Sequence, residues 1–202
     1  NMLYVKEGRA NLGSFDVASG KMADVTKGNQ AVVSYRSVPD ASKFVLLIST
    51  PTRVGDLYWL DKAGAQPKQL THINDELFSK LNLTEPEEVW YTSFDGKKIH
   101  TWVQKPPDFD PNKKYPLILN IHGGPAGVFQ QSFIGGRGVY PLATFAARGY
   151  AILRANPRGS SGYGTEFRRA NMKDWGGGDY RDLMTGVDRV IEMGVADPER
   201  LG

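Results

Sequence analysis

IHGGPAG, residues 121–127, leaves an apolar run that begins at Tyr115. A tight turn needs one glycine; a histidine, two consecutive glycines and a proline are more than a corner requires. Around this stretch the pattern alternates between strand and helix. Leu117 to Ile121 reads as a continuous apolar strand of the kind buried on both faces of a parallel sheet. Val139 to Ala147 reads as a helix closed by Gly149, and Tyr150 to Ala155 as a second buried strand. The spacing of about thirty residues between the strands suits a βαβ crossover. A second helix follows, with Asp179 and Asp182 in its first turn, where the macrodipole favours carboxylates. Leu183, Met184, Val187, Val190 and Ile191 form its apolar face, and Gly194 ends it. Asp197-Pro198-Glu199-Arg200-Leu201-Gly202 then reads as a surface turn with no strand after it.

Upstream, residues 89–94 and 98–103 flank Asp95-Gly96, a strong hairpin signal, and the Pro-rich KPPDFDP that follows is a surface connection. The first eighty residues have another texture, with short β-branched and aromatic runs (31–35, 44–48, 57–60) separated by polar, Pro- or Gly-containing stretches. Residues 74–83 look helical or irregular, and Thr84-Glu85-Pro86-Glu87 looks like a linker. An internal repeat relates Phe15…Thr26 to Tyr58…Thr71, at separations of 43 and 45 positions. Four-stranded propeller blades have this period; two unrelated hairpins with similar turns would give the same pattern.

Composition bounds the function. The 202 residues carry 25 basic and 22 acidic side chains with no basic block, so nucleic-acid binding has no support. There is no cysteine, which excludes a disulfide framework and thiolate metal sites. Three scattered histidines without acidic residues at ligand spacing predict no metal site and no cofactor. No apolar run approaches the roughly 20 residues of a membrane span. The compartment stays open.

Consecutive glycines at a strand end let backbone approach a ligand and adopt unusual φ. An oxyanion hole requires this: N–H groups unpaired by the sheet and aimed at developing negative charge. In α/β-hydrolases one such N–H comes from the loop after the third strand, often a His-Gly-Gly stretch; a plain strand-to-helix corner is the bland alternative. His122 is a poor general-base candidate, because that fold places Ser, acid and His in this order along the chain. His72 and His100 are read as structural. A second loop, Asn156-Pro157-Arg158-Gly159-Ser160-Ser161-Gly162-Tyr163-Gly164, follows the second strand. It matches no phosphate-binding motif, and G-x-S-x-G occurs nowhere in the chain.

Together the stretches YPLILNIHGGP (115–125), NPRGSSGYG (156–164), DWGG (174–177), DYRDLM (179–184) with Gly186-Val187, and DPERLG (197–202) resemble the prolyl oligopeptidase family of serine peptidases, nearest its acylaminoacyl-peptidase branch. Leu70-Thr71-His72 and Glu85 to Glu88 resemble that family's propeller exit, so the likeness runs over most of residues 55–202. It implies the C-terminal part of a β-propeller in residues 1–83 and the N-terminal part of an α/β-hydrolase domain in residues 84–202. It gives the Gly124 N–H an oxyanion-hole role and sets His122 and Gly123 beside the scissile carbonyl. Arg158 and Asp182 are read as fixing loop and helix. The family's nucleophile elbow lies a few residues beyond DPERLG, so the triad is expected outside these residues and the chain alone is expected to be inactive. The implied partners are a peptide substrate, the rest of the parent chain and further copies at an exposed sheet edge. An esterase of the same fold and an inactive interaction module are the rival readings.

Overall fold

The computed structural model describes residues 1–124, 126–136 and 140–202. It contains two compact units: Asn1–Leu81 with Gln130–Gly136, and Asn82–Phe129 with the described residues from 140 onward.

The first unit is built from two antiparallel meanders. One comprises β1 (Met2–Lys6), β2 (Arg9–Asp16) and β3 (Lys21–Asp24). The other comprises β4 (Ala31–Ser37), β5 (Phe44–Thr50), β6 (Arg53–Leu60) and β7 (Lys68–Gln69). A single parallel bridge, Ala10 to Ala31, joins them. The meanders are copies of one pattern. Thr26 Oγ1 accepts the Leu12 N–H at 3.0 Å and donates to Asn11 Oδ1 at 2.9 Å. Thr71 Oγ1 accepts the Leu57 N–H at 2.9 Å and donates to Asp56 Oδ1 at 2.7 Å. The Val25 N–H meets Leu12 O at 2.9 Å, and the Leu70 N–H meets Leu57 O at 2.8 Å. Every equivalent pair stands 45 residues apart, so Phe15 corresponds to Leu60 rather than to Tyr58. Unrelated hairpins would not repeat the same side-chain bonds in register. Leu12, Val25, Val32, Phe44, Leu46, Ile48 and Leu60 form the core of this unit.

Residues 74–83 contain one short helix, α1 (Asp75–Phe78). Its Phe78 meets Phe133 edge-on at 5.5 Å. Phe133 lies in the irregular segment 130–136, which joins the first unit through Gln131 N–H to Gly8 O (2.8 Å) and Phe133 N–H to Ser49 Oγ (3.1 Å). Backbone pairing without periodicity leaves no trace in a hydrophobic pattern.

The second unit is a mixed five-stranded sheet ordered β8-β9-β11-β10-β12, with β8 (Glu87–Thr92), β9 (Lys98–Gln104), β10 (Tyr115–Leu119), β11 (Ala151–Asn156) and β12 (Ala196–Leu201). β10, β11 and β12 run parallel, and β9 and β8 follow antiparallel. Helix α2 (Leu142–Ala147) crosses from β10 to β11, α3 (Thr165–Arg169) is short, and α4 (Gly178–Glu192) leads to β12. Alternation of side chains along the strands separates two cores. Leu117 and Leu153 pack with Val187, Val190 and Val195 on the α4 face. Ile118 and Ile152 pack with Leu142, Phe145 and Ala146 on the α2 face. The Asp95-Gly96 hairpin forms, with the Gly96 N–H on Ser93 O at 3.0 Å and the Ser93 N–H on Lys97 O at 2.8 Å.

Four expectations need correction. β10 ends at Leu119, and Ile121 lies outside it, 56% exposed, because the ladder stops where Asn120 N–H makes its bond to Leu153 O. The expected helix from Val139 starts at Leu142; Val139 itself lies outside the described residues. Met184 is on the exposed side of α4. The terminal stretch is a strand after all: Tyr115 N–H bonds Val195 O (2.8 Å) and Leu119 N–H bonds Gly202 O (2.7 Å). Between these bonds the register slips, and Asp197 draws the Glu199 N–H and Arg200 Nε into a local turn at 3.0 and 2.7 Å. Turn chemistry and a strand coexist there.

Because Thr26 is buried and Thr71 is not, Thr26→Val should cost about 1–3 kcal/mol by stranding the buried Leu12 N–H. Thr71→Val should cost less, with urea denaturation as the measure.

Candidate active site

The turn after β10 folds back on itself. Gly124 has φ +127°, and a Cβ there would lie 2.8 Å from Gly127 N and 3.2 Å from Ala126 N. A Cβ on Gly127 would lie 2.3 Å from Gly123 O. Both positions therefore require glycine, one for conformation and space, the other for space alone. Among the described residues the N–H groups of Gly123 and Gly124 make no hydrogen bond. Pro125 of the same motif lies outside the described residues.

The loop after β11 holds this turn from the side. Ser161 donates from Oγ to Ala126 O at 2.6 Å, and its N–H bonds Gly127 O at 3.1 Å. Buried Ser160 lies 2.7 Å from Pro157 O and 3.0 Å from His122 Nε2. Its one proton serves the shorter contact, so the ring supplies the other from Nε2. Burial, aided by the nearby positive charge of Arg154, pushes the His122 imidazole below its ordinary value, against a contact with Gly123 O that favours protonation. The ring is thus neutral at pH 7 and committed to Ser160. His122 also meets Phe129 edge-on at 5.1 Å. Phe129 is fixed through its backbone: Asn156 Oδ1 accepts its N–H at 2.7 Å and Asn156 Nδ2 donates to its carbonyl at 3.2 Å.

An ion-pair cluster fixes the loop itself. Arg158 donates from Nε and Nη2 to Asp182 at 2.8 and 2.7 Å, and from Nη1 and Nη2 to Asp95, both at 2.9 Å. The Arg158 N–H and Ser93 Oγ complete the Asp182 carboxylate at 2.9 and 2.6 Å. The two carboxylates hold the Arg158 guanidinium well above its ordinary value, and Arg158 holds Asp95 far below the usual carboxylate range. The Phe94 ring meets both the Arg158 and Arg181 guanidinium groups, at 4.8 and 3.4 Å.

Of the other histidines, His100 is fully buried, stacked on Trp90 at 4.6 Å and hydrogen-bonded to Tyr163. Exposed His72 bonds Asp75 at 2.8 Å. His122, Gly123 and Gly124 sit together as their sequence dictates, but Gly127, Phe129, Arg154, Ser160 and Ser161 were not anticipated as their neighbours. The only signal was a pair of serines set between glycines in NPRGSSGYG.

Residues 140–202 match the prolyl oligopeptidase family. The chain belongs to that family. It is 38% identical over 170 residues to the uncharacterized peptidase YuxL of Bacillus subtilis, covering 84% of this chain and 25% of the relative. It is 31% identical over 202 residues to dipeptidyl-peptidase 5 of Porphyromonas gingivalis, covering 99% and 28%. The acylaminoacyl peptidase of Pyrococcus horikoshii superposes with a TM-score of 0.85 at 30% identity, covering 99% of this chain and 30% of that one. The chain thus spans about a quarter of the length of the curated relatives it matches.

Removing the Ser160 hydroxyl releases the His122 ring. Ser160→Ala should therefore change the Nε2–H signature of His122 in imidazole 15N spectra, and Ser160→Thr should restore it. Asp95 contributes stability that is fully present above its unfolded value of about 3.9 and is lost as pH falls through its depressed folded value. The stability gap between wild type and Asp95→Asn should accordingly narrow below about pH 4 in acid-unfolding curves.

Proposed function

We propose that this chain is part of a serine peptidase that cleaves short peptides by acyl transfer. In this reading residues 84–202 are the N-terminal part of an α/β-hydrolase domain and residues 1–83 the last blades of a β-propeller. The strand order β8-β9-β11-β10-β12 and the 45-residue repeat support the division. So does the likeness to an acylaminoacyl peptidase. The observation that carries the site is the turn after β10, where a positive-φ Gly124 presents an N–H with no partner among the described residues.

The chemistry follows from that N–H. A serine outside these 202 residues attacks the acyl carbon, its proton passing to a histidine that also lies outside them. The carbonyl oxygen becomes an oxyanion, and the Gly124 N–H donates to it. The C–N bond then breaks, the amine leaves with the proton, and water releases the acyl group. His122 commits its Nε2–H to Ser160, so in this reading it borders the carbonyl and is not the base. Gly123 keeps the backbone thin beside the substrate. Among the described residues β12 is an edge strand, and in this reading its outer edge pairs with the rest of the parent chain or with another copy.

Gly124→Ala in the full-length protein should lower kcat by about 10²-fold or more, as loss of an oxyanion donor does. Unchanged turnover would overturn the assignment. The purified 202-residue chain should give no burst with an active-site acylating reagent, and should sediment as an associated species. A compact monomer with titratable turnover would count against both statements.

A further inference from the structure

Two arginines of the same strand-loop segment are treated in opposite ways. Arg158 spends its donors on two carboxylates. Arg154, in the middle of β11, has none. Its side chain is only 9% exposed, and its Nε is buried without a hydrogen-bond partner. The guanidinium lies 4.4 Å above the Phe129 ring, the same ring that meets His122. No acidic residue among the described residues stands within ion-pair distance of it. Residues 125 and 137–139, which lie outside that set, are Pro, Arg, Gly and Val and carry no carboxylate.

A guanidinium cannot escape this situation by losing its proton. Burial pushes Arg154 down to about 10, still charged at neutral pH. An aromatic face attracts a cation but carries no counter-charge. A buried charge without a counter-ion is strongly unfavourable, whereas an apolar side chain of similar volume would fill the space at no such cost. Methionine, for example, would satisfy packing between Phe129 and the sheet. The charge therefore has a use that packing does not explain.

We propose that Arg154 is a carboxylate-binding site beside the His122–Gly124 turn. The planar fork of donors fits a carboxylate bidentately. Two sources carry that chemistry: the C-terminal or acidic-side-chain carboxylate of a short peptide, or an Asp or Glu of the protein beyond these 202 residues. The substrate source rests on the peptidase reading above; the binding site itself does not.

The test uses the full-length protein and follows the Arg154 Nε–H resonance, the melting temperature, and kcat/KM on a short acyl peptide offered as free acid and as C-terminal amide. If substrate is the source, acetate and the free acid shift the resonance and the amide does not. The wild type then favours the acid by about tenfold or more through KM, as a charge-assisted pair should. Arg154→Gln brings the two substrates level, and Arg154→Lys recovers part of the preference. If the protein supplies the carboxylate, acetate leaves the resonance unmoved, acid and amide react alike, and Arg154→Met lowers Tm because a carboxylate loses its partner. The proposal is overturned if Arg154→Met leaves Tm unchanged or raises it while the wild type shows no response to any carboxylate. Failure of the peptidase reading looks different: no peptide is turned over, yet the resonance or the melting temperature still reports the pairing.

Discussion

The pairing of Arg158 with Asp182 is the constraint on which the second unit depends. It joins three pieces of chain that are distant in sequence: the hairpin carrying Ser93 and Asp95, the loop after β11, and the first turns of α4. Both carboxylate oxygens of Asp182 are occupied, by Ser93 Oγ and Arg158 Nη2 on one and by Arg158 N and Nε on the other. A buried ion pair adds little net stability when compared with an apolar replacement, but losing one partner strands a buried charge. Its value here is geometric, because the planar guanidinium can meet two bidentate acceptors in only one orientation. Small residues make room for it. A Cβ on Gly178 would lie 2.8 Å from Arg158 Nη1, and one on Gly186 would lie 2.6 Å from the Tyr91 hydroxyl that donates to Asp182 O.

The orientation of that loop passes directly to the turn after β10. With Arg158 fixed, Ser160 and Ser161 reach the His122 ring and the Ala126 carbonyl without search. Asn156 at the head of the same loop holds Phe129, the residue that closes the other side of His122. The turn's own backbone could not hold this shape unaided: Gly124 stands at φ +127°, and no hydrogen bond of its N–H secures it among the described residues. The neighbouring loop supplies the bonds that hold the turn.

Much of this architecture was legible in the residues. The hairpin at Asp95-Gly96, strand β11 and helix α4 follow from turn chemistry and periodicity, and the glycines of IHGGPAG announce a backbone that must come close to something. Three features were hidden for a physical reason. Asp182 resembles a helix-dipole carboxylate, yet it is an internal anchor whose partner lies 24 positions upstream, and pattern reading does not see such pairs. Segment 130–136 is held through its backbone N–H groups and one ring contact, none of which leaves a periodic signature in the sequence. The strand at 196–201 was obscured by Asp197-Pro198, because the turn it encodes sits inside the strand as an irregularity. The 45-residue register was likewise blurred by matching aromatic to aromatic, whereas the structure aligns the threonines that close each meander.

Arg154 and Arg158 together show why burial alone does not tell a structural cation from a functional one. Both are nearly withdrawn from water, and they stand four positions apart. For Arg158 every charge is answered inside the unit, so its burial explains itself. For Arg154 the same low exposure is answered only by an aromatic face, and the neighbouring imidazole is pushed toward neutrality by burial first, with the Arg154 charge adding to it. A neutral His122 leaves Arg154 as the positive charge beside the turn, so the positive potential there does not depend on protonating the ring. In the proposed reaction, where an acyl oxygen becomes negative at this turn, the Arg154 charge would add to the field of the Gly124 N–H only while no carboxylate is paired with it.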